Sequence, residues 1–262
     1  MTSPSSSISD PYNSSNWFVC QRTNPRAGIR LFFFPYAGGG PAVFSKWFNE
    51  PSSSIEAWIA HYPGRGSRHS EPPIARLMPL VDKLTQAIKP LLDRPFAFFG
   101  HSLGSLVAFE LTRCLLQNGL AQPMILFVSA CKAPHISDSK PPIHTLPEKE
   151  FLEALLRLNG IPSEFLQLPD DMGFFLPTLR ADFEALEDYE YIPGKPPLNI
   201  PLIAYGGLDD PRVSSNELEG WALHTNSSFK TQYFPGDHFF IKSDRDSIVA
   251  SMAAEIKELS AY

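Results

Sequence analysis

Cysteine is scarce in this chain: Cys20, Cys114 and Cys131 are the only three among 262 residues, and none forms a CxxC pair. Three thiols cannot all pair, which argues against a disulfide framework; a reducing, cytoplasmic setting with thiols buried as small apolar residues is expected. Positive charge is also short. The 22 Lys and Arg stand against 28 Asp and Glu, a net charge of −6, which speaks against nucleic acid or an anionic membrane as a partner reached through overall charge. No apolar run approaches the ~18 residues needed to span a bilayer. The first 16 residues, rich in Ser, Pro and Asn, lack a basic start and an apolar stretch, so a disordered tail over 1–16 is expected rather than a secretory signal. The glycine-rich loop at 38–40 carries neither the P-loop lysine pattern nor GxGxxG, which disfavours a phosphate cradle.

What remains is a chain with 43% hydrophobic and 19% charged residues, enough for one core over 17–262 plus an insertion. Apolar runs at Ile29 to Phe34, Ile55 to Tyr62, Phe96 to Phe99, Pro123 to Ala130, Pro201 to Tyr205 and Phe229 to Phe234 predict strands. Between them, three- and four-residue spacing predicts helices: Val43, Phe44, Trp47 and Phe48; Leu77 to Leu92; Leu103 to Leu116, stopped by Gly119; the surroundings of Trp221; and Ile248 to Leu259, with a capping-box-like start at Ser243 to Asp246. Alternating strand and helix argues an α/β fold: a mostly parallel sheet with helices on both faces and right-handed crossovers.

In such sheets, ligands bind beyond the carboxyl ends of the strands. Gly100-His101-Ser102-Leu103-Gly104 lies between a strand and a helix, the pattern of a nucleophile elbow, whose sharp turn leaves no room for side chains two positions either side of the serine. Asp209-Asp210-Pro211 follows a later strand, and Gly236-Asp237-His238 follows the last, giving the order serine, acid, histidine. A serine hydroxyl needs a base, and His238 is cast as that base; of seven histidines it alone sits at a strand end after the acid. A carboxylate must orient the imidazole; Asp209 and Asp210 are both candidates, and the spacing Gly, two residues, Asp, Pro favours Asp210. Oxyanion donors are expected from the backbone N–H of Leu103 and, in the loop from Pro35 to Gly40, that of Ala37.

FPYAGGG at 34–40, YPGRGSR at 62–68, GHSLG at 100–104, LRADFEALEDY at 179–189, GGLDDP at 206–211 and FPGDHFF at 234–240 together resemble the ordered blocks of type II thioesterases. These are stand-alone α/β-hydrolases that serve nonribosomal peptide synthetases and polyketide synthases. The resemblance runs from about residue 17 to the end. It implies hydrolysis of acyl or aminoacyl thioesters on the phosphopantetheine arm of acyl or peptidyl carrier protein domains, in editing stalled or misloaded modules. It places the triad on Ser102, Asp210 and His238 and the oxyanion donors on Ala37 and Leu103. Tyr36, where many members carry histidine, and Asp237, where glycine is usual, depart from the pattern. Neither a metal nor a resident cofactor is implied, and a monomer is expected. Rival functions are a medium-chain fatty-acyl thioesterase, a small-ester carboxylesterase and a non-catalytic acyl-binding scaffold.

The stretch of about 70 residues between Ala130 and Pro201 is too long for a plain connection, so a helical lid over 134–200 is expected. Thr145, Pro147 and Glu148 start one helix, which Phe151 to Leu158 continue and Gly160 stops; Phe174 to Leu186 form another. Tyr36, Phe174 and Phe175 are candidate acyl contacts, with burial in the insertion's own core as the competing role for the two phenylalanines. Arg180 and Asp182 are expected to pair within the lid, and Arg65 and Arg68 to be solvated loop charges, with contact to an acidic carrier or the phosphopantetheine phosphate as the competing role.

Overall fold

The computed structural model describes residues 16–48, 54–137, 141–157 and 172–260. The expected tail over 1–16 and the stop at Gly160 fall wholly or almost wholly outside these residues. Seven strands form one sheet in the order β1-β3-β2-β4-β5-β6-β7. They are β1 (Phe18–Cys20), β2 (Ile29–Phe34), β3 (Ile55–Ala60), β4 (Phe96–His101), β5 (Leu126–Ser129), β6 (Leu202–Gly207) and β7 (Phe229–Phe234). All neighbours are parallel except β1, which runs antiparallel to β3 at the edge. The three-residue β1 has no periodicity to read and was not anticipated from sequence.

The central strands are largely apolar because both faces are covered, and each face takes alternate residues; Arg30 of β2 is buried by pairing with Glu56 of β3. Phe32, Phe34, Phe96 and Phe98 face the layer that contains α1 (Leu77–Ile88) and α2 (Leu103–Gln117). Leu31, Phe33, Ala97 and Phe99 face the layer completed by Ile248, Met252 and Ile256 of α7 (Arg245–Ser260). Gly119, at φ 65°, ends the α2 segment in the left-handed conformation expected of it.

Two expected helices differ. Beyond Gly40 only a 3-10 turn forms, Pro41–Phe44, and the chain then turns out through Phe48 at φ 51°, which no helix continues through. The start of α7 is not capped as expected: the Ser243 hydroxyl donates backward to the carbonyl of Phe240 in α6 (Phe240–Ser243). A full capping box occurs instead at Ser214 and Glu217, opening α5 (Ser215–Glu219).

The insertion carries α3 (Glu148–Arg157) and α4 (Met172–Glu187). Phe151 of α3 meets Phe183 of α4 edge to face, 5.9 Å between centroids. The expected Arg180–Asp182 pair does not form. Arg180 donates to the carbonyls of His144 and Leu146, while Asp182 turns to the body of the protein.

Candidate active site

The elbow is built by steric necessity. Ser102 sits at φ 54° and ψ −119°, a strained conformation for a residue with a Cβ, between the end of β4 and the start of α2. A Cβ on Gly100 would lie 2.1 Å from the carbonyl oxygen of Gly104, and one on Gly104 would lie 1.9 Å from that of Phe34. Backbone blocks both positions, so only glycine fits. The Ser102 N–H donates to the carbonyl of Ser129 on β5, 2.8 Å, tying the strained turn to the adjacent strand.

Asp210 follows β6 and His238 follows β7, and the two meet: His238 Nδ1 lies 2.8 Å from Asp210 Oδ2, with both side chains buried. The other carboxylate oxygen accepts the Arg212 N–H at 2.8 Å. Asp209 is exposed, so of the two adjacent acids Asp210 is the one that reaches the imidazole. Burial pulls the Asp210 carboxyl upward, but the hydrogen bond and charge of His238 outweigh it and hold the group below its ordinary value. Burial, aided by the Arg212 charge, lowers His238 against the opposing pull of Asp210. The ring is therefore neutral near pH 7, with Nδ1–H donating to the Asp210 carboxylate and a bare lone pair on Nε2. That Nε2 is buried and has no hydrogen-bond partner among the described residues. The bond from Ser102 to Nε2 is open, as such bonds often are in unliganded enzymes.

Ser102 and His238 line one narrow cleft, part of it open to solvent, together with Tyr36, Ala37, Phe183, Leu186, Arg212 and Phe239. Tyr36 and Ala37 belong to the loop after β2, and Leu103 is the first residue of α2. Tyr36 packs edge to face on Phe239 and on His101, which makes it a wall of the cleft. Phe183 and Leu186 of α4 line the cleft, whereas Phe175 is 37% exposed on the same helix; the side chain of Phe174 lies outside the described structure. Arg212 stands over the Phe183 ring, 5.9 Å from its centroid.

Arg65 and Arg68 are not solvated loop charges but buried ones. Arg65 grips Asp182 with both terminal nitrogens, at 2.6 and 2.8 Å, and reaches the carbonyls of Gly39 and Pro63. The same Asp182 accepts the N–H of Gly38 at 2.7 Å, and Thr178 donates to the carbonyl of Gly64 at 2.6 Å. Helix α4 of the insertion is thus fastened to the loop that bears Ala37. Arg68 stacks over Trp17, 4.1 Å from its ring centroid, and pairs with Glu71. Sequence reasoning singled out neither the Arg65 clamp nor Arg212 and Phe239 as cleft residues, although Phe239 is adjacent to His238.

Among the described residues no group of three or more His, Cys, Asp or Glu side chains is placed to share a metal ion. Nor is any described helix long and apolar enough to cross a membrane.

A family profile described as a thioesterase domain matches residues 29–256. The chain belongs to the thioesterase family. It is 38% identical over 243 residues to the gramicidin S biosynthesis protein GrsT of Aneurinibacillus migulanus, covering 93% of this chain and 94% of that one. It is 32% identical to the medium-chain S-acyl fatty acid synthase thioesterase of Rattus norvegicus, covering 92% of each. Among solved structures, the type II thioesterase BorB from the borrelidin biosynthetic cluster superposes with a TM-score of 0.84 at 31% identity, over 92% of this chain and 98% of that one. The protein is thus a thioester hydrolase of the α/β-hydrolase fold, as the sequence motifs implied.

Proposed function

We propose that this thioesterase removes acyl and aminoacyl groups from the phosphopantetheine arm of carrier-protein domains in a nonribosomal peptide or polyketide synthase, through an acyl-enzyme on Ser102. The observation that carries the reading is the buried His238–Asp210 pair opening onto the same cleft as a serine held in a strained turn. Similarity to GrsT and BorB, whose names tie them to gramicidin S and borrelidin biosynthesis, supports the synthase context.

In this mechanism His238 Nε2 takes the Ser102 proton as the hydroxyl oxygen attacks the thioester carbonyl. Asp210 holds the tautomer and stabilises the imidazolium. The N–H groups of Ala37 and Leu103 receive the oxyanion, each such donor being worth about 10²–10³ in kcat. Collapse breaks the carbon–sulfur bond, and His238 returns its proton to the departing thiolate. Water, deprotonated by the same imidazole, then hydrolyses the ester and frees Ser102. Tyr36, Phe183 and Phe239 form apolar walls for the acyl group. The test compares kcat/KM on acyl-loaded carrier proteins, on the matching acyl-CoA thioesters and on simple oxygen esters. Carrier thioesters are expected to lead; oxygen esters ahead by orders of magnitude would overturn the assignment. Preference for medium-chain acyl groups on a fatty acid synthase carrier would favour the rat enzyme's kind of activity.

A further inference from the structure

His101, the residue before the nucleophile, is fully buried and is not used in the mechanism above. Its Nε2 lies 2.9 Å from the main-chain oxygen of His238, and its Nδ1 lies 2.9 Å from Ser129 Oγ. Burial, with the nearby His238 charge acting the same way, pushes the imidazole well below its ordinary value, so the ring is neutral and carries one proton. A carbonyl only accepts, which puts that proton on Nε2 and leaves Nδ1 to accept from the Ser129 hydroxyl. His238 itself sits in the turn between β7 and α6, where no strand ladder fixes its main chain. The His101 ring also packs against the His238 ring, 5.5 Å between centroids.

Resting on the assignment of His238 as base, we infer that His101 is a positioning residue: its Nε2–H pins the main chain of the base to the strand that ends in the nucleophile. The two histidines are 137 positions apart in the chain, so without such a tie the distance between nucleophile and base depends on the packing of a turn. Ser129, paired with His101 across β4 and β5, fixes the tautomer from the far side. A displacement of about 1 Å between reacting groups costs about a hundredfold in rate, so loss of the tie falls on kcat.

The test uses two amide replacements. His101→Gln places a donor at the reach of Nε2; His101→Asn reaches only toward Ser129. With an acyl carrier thioester as substrate, His101→Gln is expected within about fivefold of the wild-type kcat, and His101→Asn about ten- to hundredfold below it, with KM changed less than about twofold in both. Equal losses in the two variants, or an Asn variant at wild-type kcat, would overturn the positioning role. If His101→Asn does not fold, as judged by its thermal transition, His101→Met, of glutamine's length without a donor, replaces it with the same expectation. Ser102→Ala run alongside reports on the catalytic reading itself: full activity there sinks the triad, whereas an inactive Ser102→Ala with an unimpaired His101→Asn or His101→Met removes only this inference.

Discussion

Removing Asp182 is the most informative perturbation of stability in this fold. Its carboxylate is 3% exposed and Arg65 is 5% exposed, and the two are joined by a bidentate contact. Asp182→Ala leaves the guanidinium buried with only the Gly39 and Pro63 carbonyls, and strips the Gly38 N–H of its acceptor. Breaking a buried pair from one side costs about 3–5 kcal/mol, because the remaining charge is uncompensated. Against a total of about 5–15 kcal/mol for a folded domain, that is a large share. With a urea m-value of about 3 kcal/mol/M, the unfolding midpoint should fall by about 1–1.7 M. Replacing both partners with apolar residues, Arg65→Met with Asp182→Leu, should recover much of the loss, since no charge is then stranded. A midpoint for Asp182→Ala within about 0.3 M of wild type would refute the account, as would single losses that simply add in the double variant.

Ser102→Ala and His238→Ala should each lower kcat by several decades, with the double variant little worse, because the residues act as one unit; additive losses in turnover assays would count against that. Asp210→Asn should cost far more in kcat than Asp209→Asn, and equal effects would remove Asp210 from its role. The pH profile of kcat/KM should show an acid limb below the ordinary histidine value of 6.5, since His238 is lowered and is active only when neutral; Arg212→Gln should move that limb upward by withdrawing a charge that disfavours the imidazolium. Buried His224 is lowered from 6.5 to about 4, by burial first and then by His135 and Arg113. Only the unfolded chain takes up that proton across this window, so stability should fall as pH drops from about 6.5 to about 4, by up to about 1.4 kcal/mol per unit, and the slope of urea midpoint against pH should flatten in His224→Gln.

The parts of this enzyme legible in its sequence are those governed by short-range rules. The elbow announces itself because its two glycines and serine lie within five residues, and the buried strands because both faces demand apolar side chains. Asp210 and His238 could be singled out because each lies within a few residues of a strand's end. What stayed hidden depends on distant pairing. Arg65 and Asp182 are 117 positions apart, and nothing in the local sequence of either says that it is buried or paired. Helical periodicity likewise reports that α4 has an apolar stripe but not which turn of it overlies the serine, so Phe183 and Leu186, which line the cleft, were not singled out. The 3-10 turn after Gly40 shows the limit from the other side, since apolar spacing alone does not reveal that Phe48 leaves the helical conformation.

The collision that a side chain on Gly104 would make with the Phe34 carbonyl has an implication for how this scaffold changes over time. Main chain presses on main chain where the first turn of α2 meets the end of β2, so any side chain at position 104 would push apart the helix that opens with Leu103 and the strand that leads into the Ala37 loop. Position 104 is thereby closed to every residue but glycine, whatever acyl group the cleft's walls come to accept.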